Sequence, residues 1–126
     1  MKNSKLIQIL TTFDGRQRRA FEDFVESPYV NKQEELIHFY KYLKKISSKG
    51  FSPKVLDRYQ LYQRFFPKSD YDEKHLNYLS SQLLKLAERY IGISSFEKAA
   101  GLPEYFQLHY FVDQRLEKHY QYNMSQ

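Results

Sequence analysis

The chain has 126 residues, which is enough for one domain around one hydrophobic core. It contains no cysteine, which excludes disulfides and thiolate chemistry, and no apolar run approaches the about 18 residues of a membrane-spanning helix. The net charge of +5 is concentrated between Lys41 and Lys68, where eight basic residues meet one acid, Asp57. We therefore expect a cytoplasmic domain with a basic centre that could attract polyanions.

The first half of the chain reads as three helices. Residues 4–13 form the first. Asp14 is the expected N-cap of the second helix, with Gln17 at the capping-box position, and the stretch SPYVN ends it. Asn31 is expected to cap the third helix, which keeps apolar residues at helical spacing as far as SSKG.

The fourth predicted helix is short and starts at Pro53 or Asp57. Pro67 ends it, because the residue before a proline is pushed out of the helical region. Its apolar arc is too wide for a surface helix, which predicts burial and places both phenylalanines in the core. The arc contains Val55, Tyr59, Leu61, Tyr62, Phe65 and Phe66.

The fifth predicted helix, at about residues 73–91, has the clearest pattern. Asp72 caps it, and Tyr71 and Leu76 are placed as a hydrophobic staple across the cap. At 100° per residue the apolar and polar residues separate onto two sides. The apolar side holds Leu76, Leu79, Leu83, Leu86, Ala87, Tyr90 and Ile91; the polar side holds Lys74, Asn77, Tyr78, Ser81, Gln82, Lys85, Glu88 and Arg89.

The stretch GISSFEKAAG is predicted to be a loop that could contain one helical turn, and a last helix runs from about Pro103 toward Gln126. That helix is apolar nearly all round at first and has no C-cap signal, so either a partner covers it or it is a frayed surface helix. The predicted fold is all-α: a compact bundle of five main helices with short loops, a helix-turn-helix-like corner at residues 57–91 and no substantial β-sheet. The predicted domains are a helical core at 1–101 and a terminal helix at 102–126, which docks on the core or continues into a missing partner.

The pairs Glu35–His38 and Asp72–His75 have a spacing that is compatible with a metal site. Helical bundles that bind metals use a carboxylate and a histidine three residues apart. His38, however, falls about 160° from the apolar side of its helix, counted at 100° per residue, and Asp72 is needed as a cap. Both histidines are therefore expected to be solvated. With no G-x-S-x-G and only isolated glycines, we expect no enzyme, no cofactor, no catalytic or metal-binding residue and no small-molecule substrate.

Protein interaction is the favoured function, with a protein partner or a second copy of the chain as the ligand. Aromatic residues make up 17% of the chain, more than so small a core needs, and tyrosine is enriched in interfaces. The alternative is that the tyrosines lie at the edge of one aromatic-rich core. Membrane-surface binding is not expected, because the basic residues do not lie opposite one broad apolar face. The candidate interaction residues are Phe106, Tyr110, Leu116 and Tyr120.

DNA or another nucleic acid is the alternative ligand. The fourth and fifth helices and their turn form a loose helix-turn-helix, whose exposed Asn and Lys side chains could contact bases and phosphates. Against this, the turn exceeds the usual three or four residues. Acids at Asp70, Asp72 and Glu73 also surround the start of the helix that would enter the groove. The candidate nucleic-acid-binding residues are Lys54, Arg58, Lys74, Asn77, Tyr78, Ser81 and Lys85.

Residues 3–91 resemble the N-terminal part of a family of all-helical bacterial proteins of uncharacterised function. The specific marks are SPYVNK after the second helix and FFP, YD, L and S across the corner between helices four and five. The resemblance implies an all-α fold with further helices and no assigned catalytic residue. The pattern LYQRFFP…L…LSSQLLKL, over about 35 residues, is also similar to the helical core of winged-helix regulators, which implies DNA binding.

Overall fold

The computed structural model describes residues 4–47, 58–68 and 70–116, and it divides into two units, Met1–Tyr90 and Ile91–Gln126. Six α-helices and no strand occur in the described residues, which confirms the all-α prediction. The boundary between the units falls inside the fifth helix. The helices are α1 Lys5–Thr12, α2 Gly15–Glu26, α3 Glu34–Ser47, α4 Arg58–Phe65, α5 Glu73–Lys98 and α6 Leu102–Asp113.

Side-chain caps fix two helix starts where the sequence predicts them. The Asp14 carboxylate accepts a hydrogen bond from the Gln17 N–H at 2.8 Å, and the Gln17 side chain accepts one from the Asp14 N–H at 2.9 Å. This capping box satisfies two of the N–H groups that a helix start leaves without partners. The Asp72 side chain caps the start of α5 with a single hydrogen bond, accepting from the His75 N–H at 3.1 Å.

Asn31 does not cap α3, contrary to the prediction, because α3 begins three residues later, at Glu34. Its side chain is buried and makes three hydrogen bonds. The amide nitrogen donates to the carbonyl oxygens of Val25 at 2.8 Å and Gln33 at 3.1 Å, and the amide oxygen accepts from the Gln33 N–H at 3.0 Å. A buried amide needs such partners, so Asn31 joins the end of α2 to the chain that enters α3.

The core of the first unit is built around an aromatic cluster. Phe21 is completely buried, and its ring centroid lies 5.6 Å from that of Phe13, 4.9 Å from Tyr40 and 5.5 Å from Tyr90. In these edge-on and tilted arrangements the ring quadrupoles attract each other, which stabilises the fold in addition to the free energy gained by burying the rings. Aliphatic residues from α1, α3, α4 and α5 complete the core: Leu6, Ile7, Leu10, Leu36, Leu43, Ile46, Leu61, Leu76, Leu79, Leu83 and Leu86.

The prediction that Phe65 and Phe66 enter the core is wrong in part. Leu61 and Tyr62 are the buried residues of α4, whereas the two phenylalanines are partly buried and pack against the outside of the core. α4 ends at Phe65, so helical spacing no longer sets the direction of Phe66. Val55 lies outside the described residues, as does the side chain of Tyr59.

The loop predicted from Gly92 is instead helix, because α5 continues to Lys98. A single glycine costs a helix only about 1 kcal/mol relative to alanine, which is too little to end an established helix. The chain turns at Gly101, whose φ of 84° lies in the left-handed region that glycine adopts without a steric penalty. Pro103 follows in the first turn of α6, where proline is favoured.

Candidate interaction surfaces

The exposed side of α5 carries the predicted nucleic-acid residues that the structure describes. Lys74, Asn77, Tyr78, Ser81 and Lys85 are all exposed, and their spacing aligns them along one side of the helix. The structure does not describe the side chains of the other two candidate nucleic-acid-binding residues. Lys54 lies outside the described residues, and the side chain of Arg58, the first residue of α4, does too.

Tyr78 is the best defined of these side chains. Its hydroxyl donates a hydrogen bond to the side-chain oxygen of Gln33 at 2.9 Å, while the side chain stays 46% exposed. The hydrogen bond connects the exposed side of α5 to the residue before α3. Tyr78 is therefore partly committed to a structural contact, which the sequence pattern does not predict.

A groove follows the same side of α5 toward its middle. Its volume is about 160 Å³, and its two charged residues, Lys85 and Arg89, are both cationic. Sequence spacing predicts that Lys85 and Arg89 lie on one side of α5, but it does not predict that the α2–α3 corner, residues 27–33, lies beside them. The full lining is Val30, Asn31, Gln33, Leu36, Gln82, Lys85, Leu86 and Arg89.

The α2–α3 corner also exposes an aromatic side chain. Tyr29 is 90% exposed, the highest value among the large hydrophobic residues described as exposed. The stretch SPYVN predicts the end of a helix and carries part of the family resemblance, but its pattern does not predict the exposure of Tyr29. Its neighbour Val30 lines the groove.

In the second unit, α6 has no buried residue. Of the predicted interaction residues, Phe106 is 57% exposed, Tyr110 60% and Leu116 38%, while Tyr120 lies outside the described residues. Phe106 makes two ring contacts inside the unit: its ring centroid lies 5.7 Å from that of Phe96 and 5.3 Å from that of Tyr105. At 100° per residue the exposed apolar side chains of α6 span an arc of about 160°. They are Leu102, Tyr105, Phe106, Tyr110 and Val112.

The histidine environment differs from the prediction that both histidines are solvated. His38 is exposed, but His75 is half-buried and joins three helices. Its Nε2 atom lies 2.7 Å from Glu35, its Nδ1 atom lies 3.2 Å from the Tyr62 hydroxyl, and the Phe66 ring centroid lies 4.7 Å from that of the imidazole. Burial raises the pKa of Tyr62, and the charges of Asp72 and Glu35 raise it further. Over the residues that are described, no three metal-ligating side chains cluster.

No protein-family model matches the chain, and no curated protein or solved structure is similar to it. The resemblances noted from the sequence therefore remain predictions. Within the described segments, no helix is both long and apolar enough to cross a membrane.

Proposed function

We propose that this chain is a non-enzymatic protein-interaction domain whose α6 helix binds in an apolar groove of a protein partner. The observation that carries the proposal is that α6 has no buried residue although its sequence, LPEYFQLHYFVD, is mostly apolar. A helix that is apolar over so wide an arc is normally covered by other protein. Each Å² of apolar surface removed from water contributes about 25 cal/mol, which favours association.

The shape of the exposed arc favours a groove over a flat contact. A 12-residue helix is about 18 Å long. One side of so short a helix covers much less than the about 800 Å² per partner that a stable flat interface buries. A groove that wraps an arc of about 160° covers more of the same helix, which is how other amphipathic helices are bound.

The side chains of α6 indicate the chemistry of that groove. Phe106 and Tyr110 are the most exposed aromatic residues of the helix, and aromatic residues are typical anchors of interfaces. The helix carries two acids, Glu104 and Asp113, and no lysine or arginine. We therefore expect a partner groove with an apolar floor and a basic rim.

Photo-crosslinking followed by a binding measurement tests the proposal. A benzophenone side chain replaces Tyr110 in the full-length chain, and crosslinking in the cells that make this protein identifies the partner. Binding of that purified partner is then measured by fluorescence anisotropy. Phe106→Glu should weaken it about tenfold or more, because truncating or charging an anchor commonly costs over about 1.4 kcal/mol.

Gln107→Glu is the matched control, because it adds the same charge to an exposed position of α6 outside the arc. It should leave the affinity within about twofold, since rim charges contribute little. A crosslink only between two copies, with a dimer in sedimentation velocity, would replace the proposed groove by a second copy. The absence of a loss with Phe106→Glu would remove α6 from the interface, and equal losses in both variants would mean that the partner does not recognise the apolar arc.

Nucleic-acid binding is the second candidate, and the alignment of Lys74, Ser81 and Lys85 along the exposed side of α5 favours it. A labelled random DNA duplex should bind more weakly at about 200 than at about 50 mM salt if phosphates are contacted. Lys74→Glu/Lys85→Glu should weaken it further. The absence of binding at low salt would exclude this candidate.

A further inference from the structure

We propose that the first unit carries a second recognition site, which binds an acidic peptide segment with an apolar side chain. The site consists of Tyr29 and the groove between the α2–α3 corner and α5. The inference does not depend on α6, because every residue of the site belongs to the first unit.

The corner that carries Tyr29 is held in place by hydrogen bonds on both sides. The Ser27 carbonyl accepts from the backbone N–H groups of Val30 at 3.1 Å and Asn31 at 2.9 Å. The buried Asn31 side chain adds a bond to the Val25 carbonyl at 2.8 Å. A tyrosine on such a fixed backbone loses little conformational entropy on binding, which makes it an effective contact residue although it is 90% exposed.

The groove beside the corner combines a small aliphatic surface with two cations. Val30 is partly exposed and contributes aliphatic surface, while Leu36 and Leu86 are buried core residues that close the base of the groove. Lys85 and Arg89 lie one helical turn apart on α5. No ion pair joins either cation to an acid within the described residues. By contrast, Lys41 pairs with Glu26 at 3.3 Å and Lys44 with Glu22 at 2.7 Å.

A peptide fits this groove better than a nucleic acid does. A volume of about 160 Å³ has room for roughly one side chain. A nucleic-acid backbone would instead contact the cations spread along the exposed side of α5, such as Lys74 and Lys85, and would not need the groove. The side-chain amides of Gln33 and Gln82 at the groove can bond to a peptide backbone, and Lys85 and Arg89 can pair with carboxylates. The expected ligand has one or more Asp or Glu residues next to an aliphatic or aromatic residue.

Selection from a random peptide library displayed on phage, against the immobilised full-length chain, tests the site. We expect enrichment of peptides in which Asp or Glu flanks an apolar residue. A labelled peptide of that consensus should lose about tenfold or more in affinity with Lys85→Glu/Arg89→Glu. Tyr29→Ala should also weaken it severalfold, with no change in the thermal midpoint because the residue is exposed.

Arg16→Glu/Arg19→Glu on α2 is the matched control, because it reverses two exposed charges outside the groove and should leave peptide binding unchanged. Phe106→Glu should also have no effect, which separates this site from α6. The proposal is wrong if no acidic peptide is enriched, if the α2 control weakens binding as much, or if Phe106→Glu abolishes it. It is also wrong if the groove variant loses duplex DNA binding while no peptide is selected.

Discussion

The imidazole of His75 on α5 lies 2.7 Å from the Glu35 carboxylate on α3, although the two residues are 40 positions apart in the chain. A carboxylate can only accept, so Nε2 donates to Glu35. In the neutral imidazole, Nδ1 then accepts from the Tyr62 hydroxyl, 3.2 Å away on α4. One side chain thus connects three helices of the first unit.

We expect a measurable but modest coupling free energy between Glu35 and His75. Both side chains are partly exposed, at 37% and 29%, so solvent screens their attraction. A double-mutant cycle with Glu35→Gln and His75→Gln, measured by urea denaturation at neutral pH, should give about 0.5–1 kcal/mol. The more exposed pair of Lys41 and Glu26 is the control and should couple less strongly. A larger coupling for the control pair would contradict the role assigned to His75.

Tyr40 should make folding stability depend on alkaline pH. Burial raises the pKa of Tyr40 to about 12, and the nearby charge of Glu22 also raises it. Its hydroxyl donates to the Arg18 carbonyl at 3.2 Å. Between pH 10 and 12 the unfolded chain releases this proton while the folded chain keeps it. Stability is therefore full below pH 10 and falls as the pH rises through this range, on the order of 2 kcal/mol for this residue.

Urea denaturation across that range, compared with Tyr40→Phe, measures this contribution. At neutral pH the variant should lose about 0.5–1.5 kcal/mol, because the hydrogen bond to Arg18 is absent. Its stability should then decline less steeply than that of the unmodified chain above pH 10. Equal slopes for the two proteins would mean that Tyr40 titrates normally.

Phe21→Ala should destabilise the chain more than Phe66→Ala. Phe21 is completely buried and contacts four other aromatic rings, so its removal should cost about 3–5 kcal/mol. Phe66 is only partly buried, and water can fill the space that it leaves, so we expect roughly half that cost. Unfolding free energies from denaturant titrations decide the order, and the reverse order would mean that the core lies nearer α4.

Local signals in the sequence predict most helix boundaries, but not the start of α3 or the end of α5, and they do not predict contacts between helices. Asp14 and Asp72 cap the helices that they were expected to cap, because a cap depends on residues three positions apart. The end of α5 was misplaced because Gly92 carries a small local cost that the surrounding helix outweighs. The partner of His75 could not be predicted at all, since Glu35 reaches it only through the packing of α3 against α5.

The candidate sites likewise can be predicted from the sequence only where they lie on a single helix. Helical spacing predicts that Lys74 and Lys85 are exposed, and the residues of α6 themselves show that this helix is mostly apolar. The groove forms only because the α2–α3 corner packs beside α5. That corner depends on the buried side chain of Asn31, and the sequence does not predict this burial because a polar residue in a loop is usually exposed.

Asn31→Asp should destabilise the chain and disturb the corner, even though the two side chains have nearly the same shape. Aspartate keeps the acceptor for the Gln33 N–H but replaces the amide nitrogen that donates to the Val25 and Gln33 carbonyls. Two acceptors then face a carboxylate in a buried site, which should cost about 1–3 kcal/mol or more. Thermal and urea denaturation measure the loss, and amide exchange should show weaker protection of the backbone N–H groups of positions 30 and 31 in the variant. A substitution without effect on either would mean that hydrogen bonds from the Asn31 side chain do not hold the corner.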